Sequence, residues 1–298
     1  MGLAYEVAST PGAYLKKAFY NPVRSGRSRE PRTIAFGSHR LQHCVLWEPD
    51  EPTHDETVMY FHGGGYLVGT PESMVDAANV YNSQGYRFCS VGFRLMPFFR
   101  FPAQADDAFA GIEAALGWLS AHGLPGERLV VGGSSCGGHL ACLVGYGREL
   151  ARAHGLDASR VAAVVSVAGI VDADDMLLHP FPSAGIWRRY VGLPAADGSM
   201  AARHEALLPY SPIALIDTDS HVPFFAIHGT SDEMSPFRRE AEFAMRLNRL
   251  AGPGTATLRA VDDPAFQHMV ATVTLHKGRV QDSAPLTDLF GWLEAKLG

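Results

Sequence analysis

The chain has 298 residues, 47% hydrophobic and 19% charged, an ordinary globular balance that excludes a disordered chain and allows a large core without metals or disulfides. A formal charge of −6 gives no basic footprint, which argues against nucleic acid as a partner and against electrostatic attraction to anionic membranes. No stretch approaches the ~18 apolar residues of a membrane span.

Residues 1–20 contain Lys16 and Lys17 but no apolar run after them, so no signal peptide is read there. Cys44, Cys89, Cys136 and Cys142 lack the spacing of a zinc site, and four cysteines in 298 residues make no disulfide framework. Free thiols and a cytoplasmic location are therefore expected.

Residues 1–35 are irregular and rich in Arg, Pro and Ser, and read as an N-terminal arm belonging to a cap region. From residue 36 to 298 short apolar runs alternate with helical patterns, which predicts one α/β domain: a mostly parallel central sheet with helices on both faces. Strands are expected at 41–47, 57–61 and 86–93, with a helix over 71–85 between the last two. Phe109, Ile112, Leu116 and Leu119 share one face of a helix over 102–122. A short strand at 129–131 runs into glycines and a helix over 137–154, followed by a strand at 161–167 that is apolar except for Ser166. The stretch 172–209 fits no strand–helix unit, and an insertion of that length predicts a lid carrying Phe181, Trp187 and Tyr190. Strands at 222–227 and 255–261 and helices over 236–250 and 285–297 complete the pattern.

Gly133-Ser134-Ser135-Cys136-Gly137 matches G-x-S-x-G, a five-residue pattern common by chance in a chain with 31 glycines. Its position is more specific than its letters, because it joins a strand to a helix as a nucleophile elbow requires, with Ser135 at the apex. Ser134 is a poorer candidate because Cys136, not glycine, stands two residues after it, and a Cys136 thiol nucleophile is disfavoured by Ser134 two residues before it. Upstream, His62-Gly63-Gly64-Gly65-Tyr66 follows an apolar strand and leaves backbone N–H groups unobstructed, as acyl transfer needs where the carbonyl oxygen turns negative. The expected donors are the amides of Gly63, Gly64 and Cys136.

Serine needs a base, and the base a carboxylate, in the chain order Ser, Asp or Glu, His. Asp232 lies in His228-Gly229-Thr230-Ser231-Asp232-Glu233, just past a strand end, with Glu233 as its close rival and helix capping as the plainer reading. Of thirteen histidines only His268 and His276 follow Asp232. His268 lies in the loop after a strand and is the expected base, whereas His276 beside Lys277 reads as a surface residue. His62 is expected to shape the glycine turn and His228 to be structural.

With YFHGGGY, FRLMPFFRFPAQADDA, GGSSCGGHLA and AIHGTSDEMSP quoted, the chain resembles the hormone-sensitive-lipase-like and kynurenine-formamidase-like (feruloyl-esterase-like) serine esterases of the α/β-hydrolase superfamily, from about residue 58 onward. Ser134 and Cys136 stand where those families commonly have Asp or His and Ala. The resemblance implies an α/β-hydrolase fold and a brace of Arg94 with Asp106 or Asp107. It implies hydrolysis of small acyl or aryl esters through a covalent acyl-enzyme. Pocket walls are expected from Tyr66, Phe98, Phe99, Phe181, Trp187 and Phe266. No metal or organic cofactor is implied, the partner is a small-molecule ester, and a homodimer is left open. Two rivals remain: a formamidase-like amide hydrolase with the same residues, and a hydrolase-fold module that binds a small molecule without turning it over.

Overall fold

The computed structural model describes residues 30–173, 200–263, 268 and 283–298. Among them is an eight-stranded sheet: β1 Arg32–Ala35, β2 His43–Trp47, β3 Thr57–Phe61, β4 Arg87–Val91, β5 Leu129–Ser134, β6 Val161–Val167, β7 Phe224–Gly229 and β8 Ala256–Val261. Their spatial order is β1-β2-β4-β3-β5-β6-β7-β8. Only β1 with β2 and β2 with β4 pair antiparallel; the pairs from β4 through β8 are parallel.

Parallel strands require crossovers, and helices supply them. These are α1 Val75–Ser83 after a 3-10 turn at Pro71–Met74, α2 Ala103–Ala121, α3 Cys136–Tyr146, α4 Arg148–Ala153, α5 Met200–Leu207, α6 Pro212–Leu215, α7 Phe237–Ala251 and α8 Ala284–Leu297. No helix among the described residues is long and apolar enough to cross a membrane.

The alternation along β3 shows how the sheet divides the core. Met59 and Phe61 point to one face, where Phe109 and Ile112 of α2, Leu140 of α3 and Phe243 of α7 pack. Val58 and Tyr60 point to the other, against Val80 and Tyr81 of α1 and Leu289 and Phe290 of α8. Because both faces are covered, β3 is buried at every position and reads as one continuous apolar run. Full burial of each such large side chain is worth about 1.5–3 kcal/mol.

Three expectations change. Residues 32–35 are not part of an arm but form β1, an edge strand with only Ile34 buried, too short and too exposed to carry a hydrophobic pattern. The helix expected over 137–154 is two helices, because Gly147 takes ψ 65 and leaves the helical region. Part of the stretch 172–209 is regular, since α5 and a 3-10 turn at Leu208–Tyr210 occupy its end. Residues 1–29, 174–199 and 264–267 lie outside the described residues, and with them Phe181, Trp187, Tyr190 and Phe266, as does His276.

Candidate active site

Every element of the site stands at the C-terminal end of a parallel strand, where open α/β sheets place ligands. The turn from β5 to α3 is the tightest part. Ser135 sits at its apex with φ 54 and ψ −121, a conformation costing about 1–3 kcal/mol that the surroundings must impose. They do so through backbone contact: the Ser135 amide donates to the Val167 carbonyl at 2.9 Å, at the end of β6. A Cβ on Gly133 would lie 2.1 Å from the Gly137 carbonyl oxygen, and one on Gly137 2.1 Å from that of Phe61. Both glycines of the motif are thus required by packing.

His268 Nε2 lies 2.9 Å from Ser135 Oγ, and His268 Nδ1 lies 2.7 Å from Asp232 Oδ2. The Asp232 side chain works on both sides. Its Oδ1 accepts the amides of Met234 and Ser235, each at 2.9 Å, so the capping role read from sequence and the contact with His268 coexist on separate oxygens. Burial raises the Asp232 pKa, but the charge of His268 and hydrogen bonds from His228 and His268 outweigh it and hold the carboxyl well below its ordinary value. Its rival Glu233 is exposed.

The glycine turn after β3 closes on the elbow. A Cβ on Gly63 would meet the Ser134 carbonyl oxygen at 3.2 Å and Ser135 Cβ at 3.5 Å, so the Gly63 backbone lies directly against the serine. The Gly64 carbonyl accepts the amides of Leu67 and Val68 at 3.1 and 3.2 Å, turning the chain back. The Cys136 sulfur takes the Tyr66 amide at 3.4 Å. Cys136 is fully buried and burial pushes its thiol up to about 12, which removes it as a nucleophile at neutral pH. Ser134 is 2.6 Å from the Tyr60 hydroxyl and buried. His62 holds the Gly63 carbonyl at 2.7 Å through Nδ1 and stacks on Phe93.

The expected pocket walls are partly corrected. Tyr66 is 1% exposed and lies in the core, with its hydroxyl 2.9 Å from the Cys136 carbonyl and 2.6 Å from His139 Nδ1. Its φ of 62 turns the side chain in under the elbow, so it braces the site from behind and lines no open surface. Phe98 stands in solvent at 88% exposure. Phe99 is half-buried, edge-on to His39 and beneath the Arg94 guanidinium.

The brace is Arg94 with Asp107. Nε and Nη2 reach the two carboxylate oxygens at 2.8 Å each, while Asp106 pairs with His154 on another side of α2.

Sequence reasoning missed a second layer. His228 at the end of β7 is fully buried and its ring touches two carboxylates, Asp232 and Glu240 of α7. Ser166, the polar position of β6, donates to Glu240. Among the described residues no group of three or more His, Cys, Asp or Glu is disposed to hold a metal ion.

The chain is similar to ethyl acetate hydrolase of Pseudomonas putida, 35% identical over 150 residues that cover 47% of this chain and 46% of that protein. It is also similar to esterase LipC of Mycobacterium tuberculosis, 27% identical over 243 residues, 77% of this chain and 58% of that one. The chain spans about half the length of these curated relatives. Among solved structures, esterase B from Lactobacillus rhamnosis superposes with a TM-score of 0.72 at 20% identity, covering 99% of this chain and 94% of that one. A bacterial heroin esterase gives 0.68 at 21%, covering 97% and 88%. These likenesses show the α/β-hydrolase fold. The BD-FAE family matches residues 46–247, more than half of the chain and inclusive of the glycine turn, the elbow and Asp232, and on that match the chain belongs to the BD-FAE family.

Proposed function

We propose that the chain is a carboxylic ester hydrolase that works through Ser135, His268 and Asp232. The observation that carries this reading is the unbroken line of hydrogen bonds from Ser135 Oγ through the His268 ring to Asp232, at 2.9 and 2.7 Å. Ser135 Oγ attacks the ester carbonyl carbon as its proton passes to His268 Nε2. Asp232 stays ionised, holds the ring by Nδ1 and stabilises the imidazolium. The amides of Gly63, Gly64 and Cys136 receive the oxyanion, a choice supported by the Gly63 backbone lying against Ser135. Collapse expels the alcohol, which takes the proton from His268. Water activated by the same imidazole then releases the acid and restores Ser135.

The substrate class is small acyl or aryl esters, in keeping with the names of the relatives. Four buried, unpaired cysteines fit a reducing, cytoplasmic setting. Turnover of short-chain aryl esters by the wild type, and its loss in Ser135→Ala and His268→Ala, tests the reading; formyl-anilide turnover that exceeds ester turnover would shift it to an amide hydrolase.

A further inference from the structure

Behind Asp232 lies a buried array to which the reading above gives no role. His228 and Glu240 are both fully inaccessible, on β7 and α7, and neither can touch a substrate. Their protons can be placed from their partners. Among the described residues His228 Nε2 faces only acceptors, the Ser235 carbonyl at 2.8 Å and Asp232 Oδ2 at 3.2 Å, so it carries a proton. His228 Nδ1 faces a Glu240 carboxyl oxygen, and one further proton lies between them. The other Glu240 oxygen accepts from Ser166 Oγ. Asp232, on the far side of the ring, favours a positive imidazole. Two further groups face the array: Phe237, also of α7, lies edge-on to His228, and Cys142 of α3 lies near Glu240 with its thiol held neutral, burial first and Glu240 second pushing it well up. The second proton therefore belongs on His228.

We propose that His228 is a second, cationic imidazole of the site, kept charged by Glu240, and that the pair is a positioning couple which sets, through Asp232, the pH range in which His268 can act as base. This inference rests on the proposed roles of Ser135, His268 and Asp232. Asp232 Oδ2 is shared between the two imidazoles, one on each side. A carboxylate that also holds a cation lends less of its charge to the His268 ring, so removing that cation tightens the carboxylate's hold on the imidazolium. Burial works against a charge on His228, yet Glu240 and Asp232 overcome it and raise the imidazole to about 10. The array thus stays charged throughout the neutral range. Glu240 and Ser166 are not ornaments of the core but the outer end of a line that runs Ser135, His268, Asp232, His228, Glu240, Ser166.

Glu240→Gln tests this in the full chain. The amide keeps the volume and can still accept from Ser166, but it offers His228 Nδ1 a donor and leaves the ring neutral. Losing a cation two hydrogen bonds away moves the acid limb of kcat/KM for a short-chain aryl ester upward by about half a pH unit, or about threefold in rate on that limb relative to the variant's own plateau. The pH dependence of fluorophosphonate labelling at Ser135 shifts with it. A limb that superimposes on the wild type, or a loss uniform at all pH values, overturns the proposal. The protonation state of the wild type also decides it, even if Glu240→Gln does not fold. In nitrogen-15 spectra at neutral pH, with His228 identified by the signal lost in His228→Gln, both ring nitrogens are expected to be protonated; an unprotonated Nδ1 overturns the proposal. Failure of the underlying reading looks different, because Ser135 would then not be the labelled residue at any pH.

Discussion

Replacing Asp107 by asparagine removes one charge from a buried, multiply hydrogen-bonded ion pair. Asp107 is 1% exposed and its carboxylate accepts four bonds of 2.8 Å: from Gln42 Nε2, from the Arg94 amide, and from Arg94 Nε and Nη2. An asparagine must present its NH2 to at least one of those donors, leaving it without an acceptor. Breaking a buried pair costs about 3–5 kcal/mol. The Arg94 side chain is 23% exposed, so its stranded charge regains some water and about 2–3 kcal/mol is expected. For a chain of this size that lowers Tm by about 3–5 °C. The Arg152–Glu149 pair is the control: its side chains are 72% and 85% exposed, and Glu149→Gln should cost less than about 0.5 kcal/mol. The Arg94 loop also bears on the site, since the Met96 amide donates to the Tyr66 carbonyl at 2.9 Å beside the glycine turn. Urea and thermal unfolding of the two variants decide the matter. Equal stabilities for Asp107→Asn and Glu149→Gln would refute the view that burial makes the first pair matter.

Other outcomes follow from single contacts. Gly137→Ala places a Cβ 2.1 Å from the Phe61 carbonyl oxygen and should cost about 3 kcal/mol or prevent folding, whereas Gly117→Ala, with nothing within 4 Å inside α2, should stabilise by about 0.5–1 kcal/mol; chemical denaturation compares them. Tyr66→Phe loses the hydroxyl's bonds to Cys136 and His139 and should destabilise by about 1–2 kcal/mol with KM little changed, while a KM effect without a stability effect would return Tyr66 to the pocket wall. Burial holds His62 and His139 down at about 4 from 6.5, so the unfolded chain binds protons there first and stability falls as pH drops from about 6.5 toward 4, by up to about 3 kcal/mol for each. Asp232, depressed below its ordinary value, keeps its contribution across that window and loses it only at lower pH. Urea midpoints measured along the window should fall, and less steeply in His139→Gln.

The elements of this chain that are legible in its sequence are those whose signals are local. The apolar runs at 57–61 and 161–167 predict β3 and β6 where they are found, because strands covered on both faces are apolar almost throughout. β1 was missed because four residues with one buried side chain carry no period. The elbow and the glycine turn announce themselves by residues whose Cβ would collide with backbone, a constraint written directly into the sequence. Asp107 could not be separated from Asp106 in advance, since adjacent helix positions point about 100° apart and only the packing of α2 says which faces Arg94. Glu240 and Ser166 lie 74 positions apart and meet only in the fold. Their signal was nonetheless present: Glu240 stands in the buried stripe of α7 with Phe243, Ala244 and Leu247, and Ser166 breaks an apolar strand. A charge in such a stripe needs a buried partner, and His228 is that partner.

The central claim, that Ser135 is the nucleophile of an ester hydrolase, is tested most directly by reacting the folded protein with a fluorophosphonate and mapping the adduct by peptide mass spectrometry. One adduct on the peptide bearing Ser135, abolished in Ser135→Ala together with ester turnover, is the predicted result. An adduct that persists in Ser135→Ala, or ester turnover that survives the substitution at the wild-type rate, would contradict it.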